Sequence, residues 1–248
     1  MRKNLGFSLA EVLITLGIIG IVAAITIPVL FSNINNLKFR NQYKKAISTL
    51  SQAGLMAQAK YEYNFAGTQT PCSQDKNIAG SENPEEAMTF CAILNSTLTG
   101  YTYQGRVGDI KRMEHNQNIG TYKLVKKDTI KDDYLDYLAY SLADGTLIAF
   151  NPQAKGCELS IGNRLVQGMF SGKVGNDDLS HCIGFIDVNG ATLPNTEVSC
   201  SAGTNEVGKD CVVYNNSGHM TDVYPVVFHD STVEPASGAA QYILDSSK

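Results

Sequence analysis

The sequence is short of positive charge. Twenty lysines and arginines face 24 aspartates and glutamates, for a formal net charge of −4 and a pI near 5.6. Phosphate binding needs a clustered basic surface, so nucleic acid is not an expected partner. A local basic group at Lys38, Arg40, Lys44 and Lys45 reads as a flanking anchor or a solvated face. Catalytic signatures are missing as well. There is no GxSxG, no HExxH and no glycine-rich phosphate loop. "GMFSG", Gly168 to Gly172, has the wrong spacing for a nucleophile elbow and reads as a turn. His115, His181, His219 and His229 show no ligand spacing with one another and read as surface or strand residues. An enzyme is therefore not expected, nor a cofactor. No CxxC occurs, which removes redox and zinc-ribbon readings. Repeats, low-complexity tracts and a second domain boundary are also absent. The 248 residues fit one domain plus an extension.

What the chain does have begins at its N-terminus, "MRKNLGFSLAEVLITLGIIGIVAAITIPVLF". From Phe7 to Phe31 only Glu11 is charged, and these 25 residues can cross a hydrocarbon core with some tilt. The run exceeds the apolar region of a secretory signal, about 7–15 residues, and no small-x-small cleavage site follows it, so it is expected to be retained. Arg2 and Lys3 precede it, which places the N-terminus in the cytoplasm and the remainder outside. The six cysteines, Cys72, Cys91, Cys157, Cys182, Cys200 and Cys211, all follow the run. An even number in an oxidising compartment suggests disulfides. Spacing alone does not choose among the connectivities, and buried free thiols remain an alternative. The expectation is sequential pairing, Cys72–Cys91, Cys157–Cys182 and Cys200–Cys211, each worth about 2–4 kcal/mol.

Glu11 is the anomaly. A carboxylate near a helix centre in lipid costs about 2.5–3.5 kcal/mol, less near the end. No lysine or arginine lies near it in the apolar run. Cleavage between Gly6 and Phe7 would create a partner, the α-amine of Phe7, one helical turn away on the same chain or on a neighbour. Alternatively, Glu11 is a first-turn residue that complements the helix dipole.

The segment "GFSLAEVLITLGIIGIVAAITIP" resembles the prepilin signal of type IV pilins and type II secretion pseudopilins. The resemblance rests on the basic leader MRKNLG ending in Gly6, on Phe7, on Glu11 and on the aliphatic run closing at Pro28. Ser8 and Ala10 depart mildly from the threonine and isoleucine common in the motif. The resemblance implies that a prepilin peptidase cuts after Gly6, that the amine of Phe7 is methylated, and that Glu11 registers an incoming subunit in a filament. "GFIDVNGATLPN" followed by "DVYPVVFHDSTVEPA" resembles, more weakly, the C-terminal sheet of secretion-type pseudopilins. The stretch from about Asn64 to Leu138 has no such counterpart.

Beyond Pro28 a helical period continues. Tyr43, Ile47, Leu50, Gly54, Ala57 and Tyr61 form an apolar stripe opposite Lys44, Lys45, Ser48, Gln52 and Lys60. One helix from Phe7 to about Tyr63, kinked or loosened at Pro28, is expected; a helix end at Pro28 is the alternative. Residues 66–86 read as a loop. "PEEAMTFCAILNSTL" reads as a short helix with Ala87, Phe90, Cys91 and Leu94 on its apolar face. The period then falls to two. Hairpins are expected at Asp144-Gly145 and Asn189-Gly190, and further strands in "KDCVVYNNSGHM" and "DVYPVVFHD". The fold class is α+β: a long N-terminal helix packed on a C-terminal antiparallel sheet, pilin-like. The expected division is leader 1–6, transmembrane half 7–31, amphipathic half 32–63 and extracytoplasmic ectodomain 64–248. Asp187, Asn189, Asp222 and Asp230 are oxygen donors near turns, and some secretion pseudopilins bind calcium in this region. The Asn-Gly turn explains them without a metal, and no metal ligand is assigned.

The expected function is a structural subunit of a type IV pilus or a type II secretion pseudopilus. It would sit in the bacterial inner membrane before assembly. Its partners would be the prepilin peptidase, other subunits of the filament, the inner-membrane assembly platform and the membrane itself. The alternatives are a minor, tip-located binding protein for adhesion or DNA uptake, and a membrane-anchored ectodomain with no filament.

Overall fold

The computed structural model describes residues 8–72, 84–114, 117–159, 173–174, 177–214 and 220–246. Helix α1 runs from Leu9 to Tyr61, 53 residues and about 80 Å at ~1.5 Å per residue. Its backbone is helical through Pro28 without interruption, so Pro28 does not end it. Two short helices follow, α2 (Pro84–Ala87) and α3 (Phe90–Thr97), where a single one was expected. The break has a local cause. Met88 takes a left-handed φ of 43°, and the Thr89 hydroxyl accepts from the Ala92 amide, which starts a new helix. The first strands are β1 (Thr102–Arg106), β2 (Lys111–Glu114) and β3 (Gln117–Thr121). Next come β4 (Leu138–Ser141), β5 (Leu147–Phe150), β6 (Lys173–Val174), β7 (Asp177–Asp178), β8 (Ile183–Asp187), β9 (Ala202–Gly203) and β10 (Cys211–Val212). The chain closes with β11 (Val223–His229), β12 (Thr232–Pro235) and α4 (Gly238–Asp245).

Six strands form one antiparallel sheet in the order β1-β4-β5-β8-β11-β12, and β2–β3, β6–β7 and β9–β10 form separate two-stranded ribbons. The β4–β5 hairpin turns at Asp144-Gly145 as expected. Gly145 has φ 86°, its amide donates to Leu142 O, and the Thr146 amide donates to Asp144 Oδ1. Asn189-Gly190 is different. The chain turns there, but the residues after it do not pair back on β8, whose neighbours are β5 and β11. Asn189 instead donates through Nδ2 to the carbonyls of Thr192 and Leu193, which folds residues 188–193 into a compact loop. Of "KDCVVYNNSGHM", only Cys211–Val212 is strand among the described residues; 215–219 lie outside them.

The sheet is covered on both faces. Alternate residues of its strands point opposite ways. Leu138, Tyr140, Ile148, Phe150, Ile186, Tyr224 and Phe228 join the core under α1, α3 and α4. Ala139, Leu147, Ala149, Phe185 and Val223 join a second core, roofed by Val107, Ile110, Tyr122, Leu124, Ile130, Tyr134 and Tyr137. Hence β4, β5 and β8 read as continuous apolar runs rather than as an alternation, as strands buried on two sides do. The second roof comes from the stretch between Asn64 and Leu138 that resembled nothing. Helix α4 was also not foreseen; Ser237 caps it and Ala239, Ala240 and Ile243 seat it on the sheet.

On α1 the expected stripe is the seated one. Tyr43, Ile47, Leu50, Gly54 and Ala57 are buried and Tyr61 is half-buried; Phe39, Ala46 and Ala53 widen the stripe. Tyr43 stacks on Tyr224 with centroids 4.2 Å apart, and Phe65, Phe90, Phe150 and Phe228 interlock beside it.

Candidate functional site

The N-terminal site is built on the first turn of α1. Gly6 and Phe7, the cleavage and methylation residues expected from the sequence, lie outside the described residues, as does the side chain of Pro28. Ser8 is the N-cap, with φ −75° and ψ 150°. The Glu11 amide donates to Ser8 Oγ at 3.3 Å, and the Ser8 amide donates to Glu11 Oε2 at 2.8 Å. This reciprocal pair satisfies two amides that a helix start leaves without partners, and it puts a negative charge at the positive end of the helix dipole. The signal for it is in the sequence as Ser-x-x-Glu ahead of an apolar run, at the Ser8 that departs from the motif's threonine. Of the two readings of Glu11, the first-turn role is therefore observed within one chain.

Beyond this cap, Leu9–Ile27 is a 19-residue apolar stretch with none of it buried, and it meets the length and composition needed to cross a membrane. Leu9, Ile14, Ile19 and Ile25 each expose more than half of their surface. In water such a surface would not persist bare; lipid or other apolar helices are its natural surroundings. Thr15 and Thr26 do not break the pattern, because their hydroxyls donate back to the carbonyls of Val12 and Val22. Among the side chains described on α1, the first buried residues are Phe39 and Arg40.

The basic group past the run is dispersed by the fold. Arg40 is buried, Lys44 donates to Ser246 O at 2.8 Å, Lys45 pairs with Asp144 at 2.8 Å, and Lys38 is exposed. Lys44 thus ties α1 to the end of α4 rather than facing solvent with Lys45.

All six cysteines are paired, in chain order: Cys72–Cys91, Cys157–Cys182 and Cys200–Cys211. The first ties the loop after α1 to α3, the second ties the loop after β5 to the entry of β8, and the third closes the β9–β10 ribbon. Cys157, His181 and Cys182 bring two sulfurs and a ring nitrogen together, but both sulfurs are in the disulfide, and His181 Nε2 meets Lys155 O at 2.8 Å.

The oxygen donors near the turns separate into two places. Asp230 sits at the β11–β12 turn beside His229, 2.9 Å from its Nδ1. Asp187 and Asp222 are fully buried below the second roof. Asp187 accepts from the Tyr122 hydroxyl at 2.7 Å and from the Asn189 amide at 3.0 Å. Asp222 accepts from the amides of Asn195 at 3.0 Å and Thr196 at 2.7 Å. These carboxylates thus already have protein donors. Burial and its charged neighbour Asp222 push Asp187 well above the ordinary carboxylate range, and burial pushes Asp222 up to about 6. A third buried carboxylate, Glu197, accepts from the amides of Asp128, Thr129 and Ile130, and burial raises it too. His115 and His219 lie outside the described residues.

Residues 1–27 match the family described as the prokaryotic N-terminal methylation motif. No curated protein and no solved structure matches the chain. The match ends where the apolar stretch ends and does not reach the sheet, whose two-sided cover stands on the structure alone. The chain carries a prepilin-type N-terminal methylation motif on a bare apolar helix, followed by a disulfide-tied α+β domain, an arrangement consistent with a type IV pilin-like protein.

Proposed function

We propose that the protein is a structural, non-enzymatic subunit of a type IV pilus or a type II secretion pseudopilus. It is made as a prepilin, cut after Gly6 by a prepilin peptidase and methylated at Phe7. The span from Phe7 to Phe31 holds it in the inner membrane, with the N-terminus cytoplasmic and the disulfide-bearing domain outside. Assembly moves the bare face of Leu9–Ile27 from lipid onto the same face of other subunits, delivered by an inner-membrane platform. Lipid and neighbouring helices are similarly apolar, so the net hydrophobic gain is small and close packing at Gly20 and Ala24 matters more. Glu11 sets the register of an incoming helix. The observation that carries this reading is the methylation motif over residues 1–27 ending in an exposed apolar helix.

The Ser8–Glu11 cap adds a step to the registry idea. In the isolated chain the carboxylate is held by Ser8, so pairing with a neighbour's Phe7 amine exchanges one partner for another rather than relieving a bare charge. Mass spectrometry of the N-terminal peptide from membrane-extracted protein tests the processing: a peptide beginning at methylated Phe7 is expected, and one retaining Met1 to Gly6 overturns it. Glu11→Ala tests assembly. The variant is expected to be processed and membrane-held but absent from sheared filaments, and normal filaments from it would sink the registry role.

A further inference from the structure

We propose that Asp187 and Asp222 form a proton-holding latch that ties loop 188–197 and the segment 122–130 to the sheet, closed in mildly acidic medium and loosening as the pH rises. The geometry is that of a junction. Asp187 ends β8, and its register partner on β11 is Val223, the residue after Asp222, which brings Asp222 near enough for its charge to act on Asp187. Both residues are 0% exposed. Through them three stretches of chain are joined. Tyr122 reaches Asp187 from the covering segment, Asn189 reaches it from the loop, and Asn195 and Thr196 reach Asp222 from the far end of the same loop. The main chain reinforces the same junction, since the Val188 amide donates to Asp222 O and the Val125 amide donates to Asn195 O.

Among the described residues, neither carboxyl has a salt-bridge partner. The groups acting on Asp187 are Asp222, Tyr122 and the loop amides; those acting on Asp222 are the amides of Asn195, Thr196 and its own residue. From β11, Tyr224 is near enough to feel the charge of both carboxyls; from the covering segment, Tyr134 acts on Tyr122; from α1, Arg40 acts on Tyr224. Tyr122 and Tyr224, both raised by burial, are neutral at the pH values concerned. Two buried carboxyl groups that act on each other cannot both hold full charge cheaply, and one retained proton relieves both burial and repulsion. The proton belongs to the pair rather than to one residue.

The direction of the pH effect follows. In the unfolded chain both groups ionise near ~3.9. In the folded chain they are raised, so the folded state binds more protons and is favoured most below the unfolded value. That advantage is lost progressively as the pH rises from about 4 through Asp222 at about 6 and beyond it through Asp187. His229 adds a contribution of the same sign. Its burial lowers it, but Glu234 and Asp230 outweigh the burial and leave it raised. Glu197, raised by burial and tying the same loop to residues 128–130, adds another of that sign, so the latch is separated by variants at Asp187 and Tyr122 rather than by a whole-protein melting curve.

The test is hydrogen exchange by mass spectrometry on the full chain in detergent micelles at pH 5.5 and 8.0, with rates normalised to the intrinsic exchange rate at each pH. In the wild type, protection over 188–197 is expected to fall about tenfold or more between the two values, the equivalent of one or more pK units. Protection of the seated half of α1 should change less. Asp187→Asn mimics the protonated acid: its oxygen still accepts from the Asn189 amide, and its nitrogen can donate to the Tyr122 oxygen. This variant should keep at pH 8.0 most of the loop protection it has at pH 5.5. A wild-type loop whose protection is the same at both pH values, or an Asp187→Asn loop that loses as much as the wild type, overturns the latch. If Asp187→Asn does not fold, Tyr122→Phe decides. It removes a donor that favours the ionised form, so the midpoint of loosening should move to higher pH, and an unmoved midpoint overturns the proposal.

Discussion

By backbone α1 is one helix; by surroundings it is two. Over Leu9–Ile27 nothing is buried, while from Phe39 to Ala57 the same helix lays a continuous stripe into the core. The membrane-side half is apolar all round, as a lipid-facing helix must be, and the seated half is apolar on one face only. Side-chain pattern alone therefore separates a segment whose partner is elsewhere from a segment whose partner is its own sheet. The first can exchange lipid for other helices without disturbing the fold; the second cannot leave without exposing Tyr43 and Leu50.

The largest effect should come from a matched pair of leucines. Leu50 is fully buried and Leu16 is 60% exposed. Leu50→Ala opens a cavity against the sheet and is expected to cost about 3 kcal/mol of unfolding free energy. Leu16→Ala removes the same atoms from a surface the fold does not use, and should leave the unfolding of the disulfide-tied domain unchanged while weakening retention in bilayers. Chemical denaturation in micelles followed by tyrosine near-UV circular dichroism reads the first effect, and extraction from membranes reads the second. A Leu16→Ala protein whose domain unfolds earlier would break the separation of the halves.

Gly54 sharpens the boundary within the seated half. A Cβ there would lie 2.8 Å from Phe65 Cε2 and 2.8 Å from Ser231 O at the β11–β12 turn. The ring can tilt away; the backbone oxygen cannot without moving the turn, which also donates from the Val233 amide to Ser51 Oγ. Alanine is favoured over glycine inside a helix by about 1 kcal/mol. Overpacking at this contact costs about 1–3 kcal/mol. The expected outcome for Gly54→Ala is a net loss of about 1 kcal/mol in the same denaturation experiment. A gain would mean that α1 stands further from the turn than the structure places it.

These features differ in how legible they were in the sequence, for physical reasons. The helix stripe was readable because Tyr43, Ile47, Leu50, Gly54 and Ala57 repeat with the period of one local element. The β4–β5 hairpin was readable because Asp144-Gly145 carries its own turn chemistry. Asn189-Gly190 carries the same dipeptide but folds into a loop, because the place beside β8 is taken by β11, some thirty-five residues later, and no local signal reports that. The second roof was invisible because Tyr122, Leu124 and Ile130 have no single period; long-range contacts to Phe185 and Val223 make them core. Buried acids were harder still. Asp187 and Asp222 look in sequence like turn residues or calcium donors, and only the fold shows their oxygens occupied by amides and a tyrosine. Glu11 was legible as an anomaly, and its partner Ser8 was in plain view three residues before it.

The smallest effect belongs to the outer side of the seated half, where Lys45 pairs with Asp144 across to the β4–β5 turn. The lysine is 65% exposed, so water and salt screen the pair. Lys45→Ala is expected to cost no more than about 0.5 kcal/mol, and the difference should vanish at high ionic strength. Asp144→Ala should cost more, because that carboxylate also accepts from the Thr146 amide inside the turn, a bond salt does not screen. Burial pushes Asp144 up, but its bonds to Lys45 and Thr146 outweigh that and hold it below the usual range. Its contribution is present at neutral pH and fades as the pH falls through the lowered value, opposite in sign to Asp187 and Asp222. Equal costs for Lys45→Ala and Asp144→Ala at low salt would place the contribution in the ion pair, and with it a real electrostatic clamp between α1 and the sheet. Unequal costs, the expected result, leave α1 held by its buried stripe, with the surface charge serving the turn.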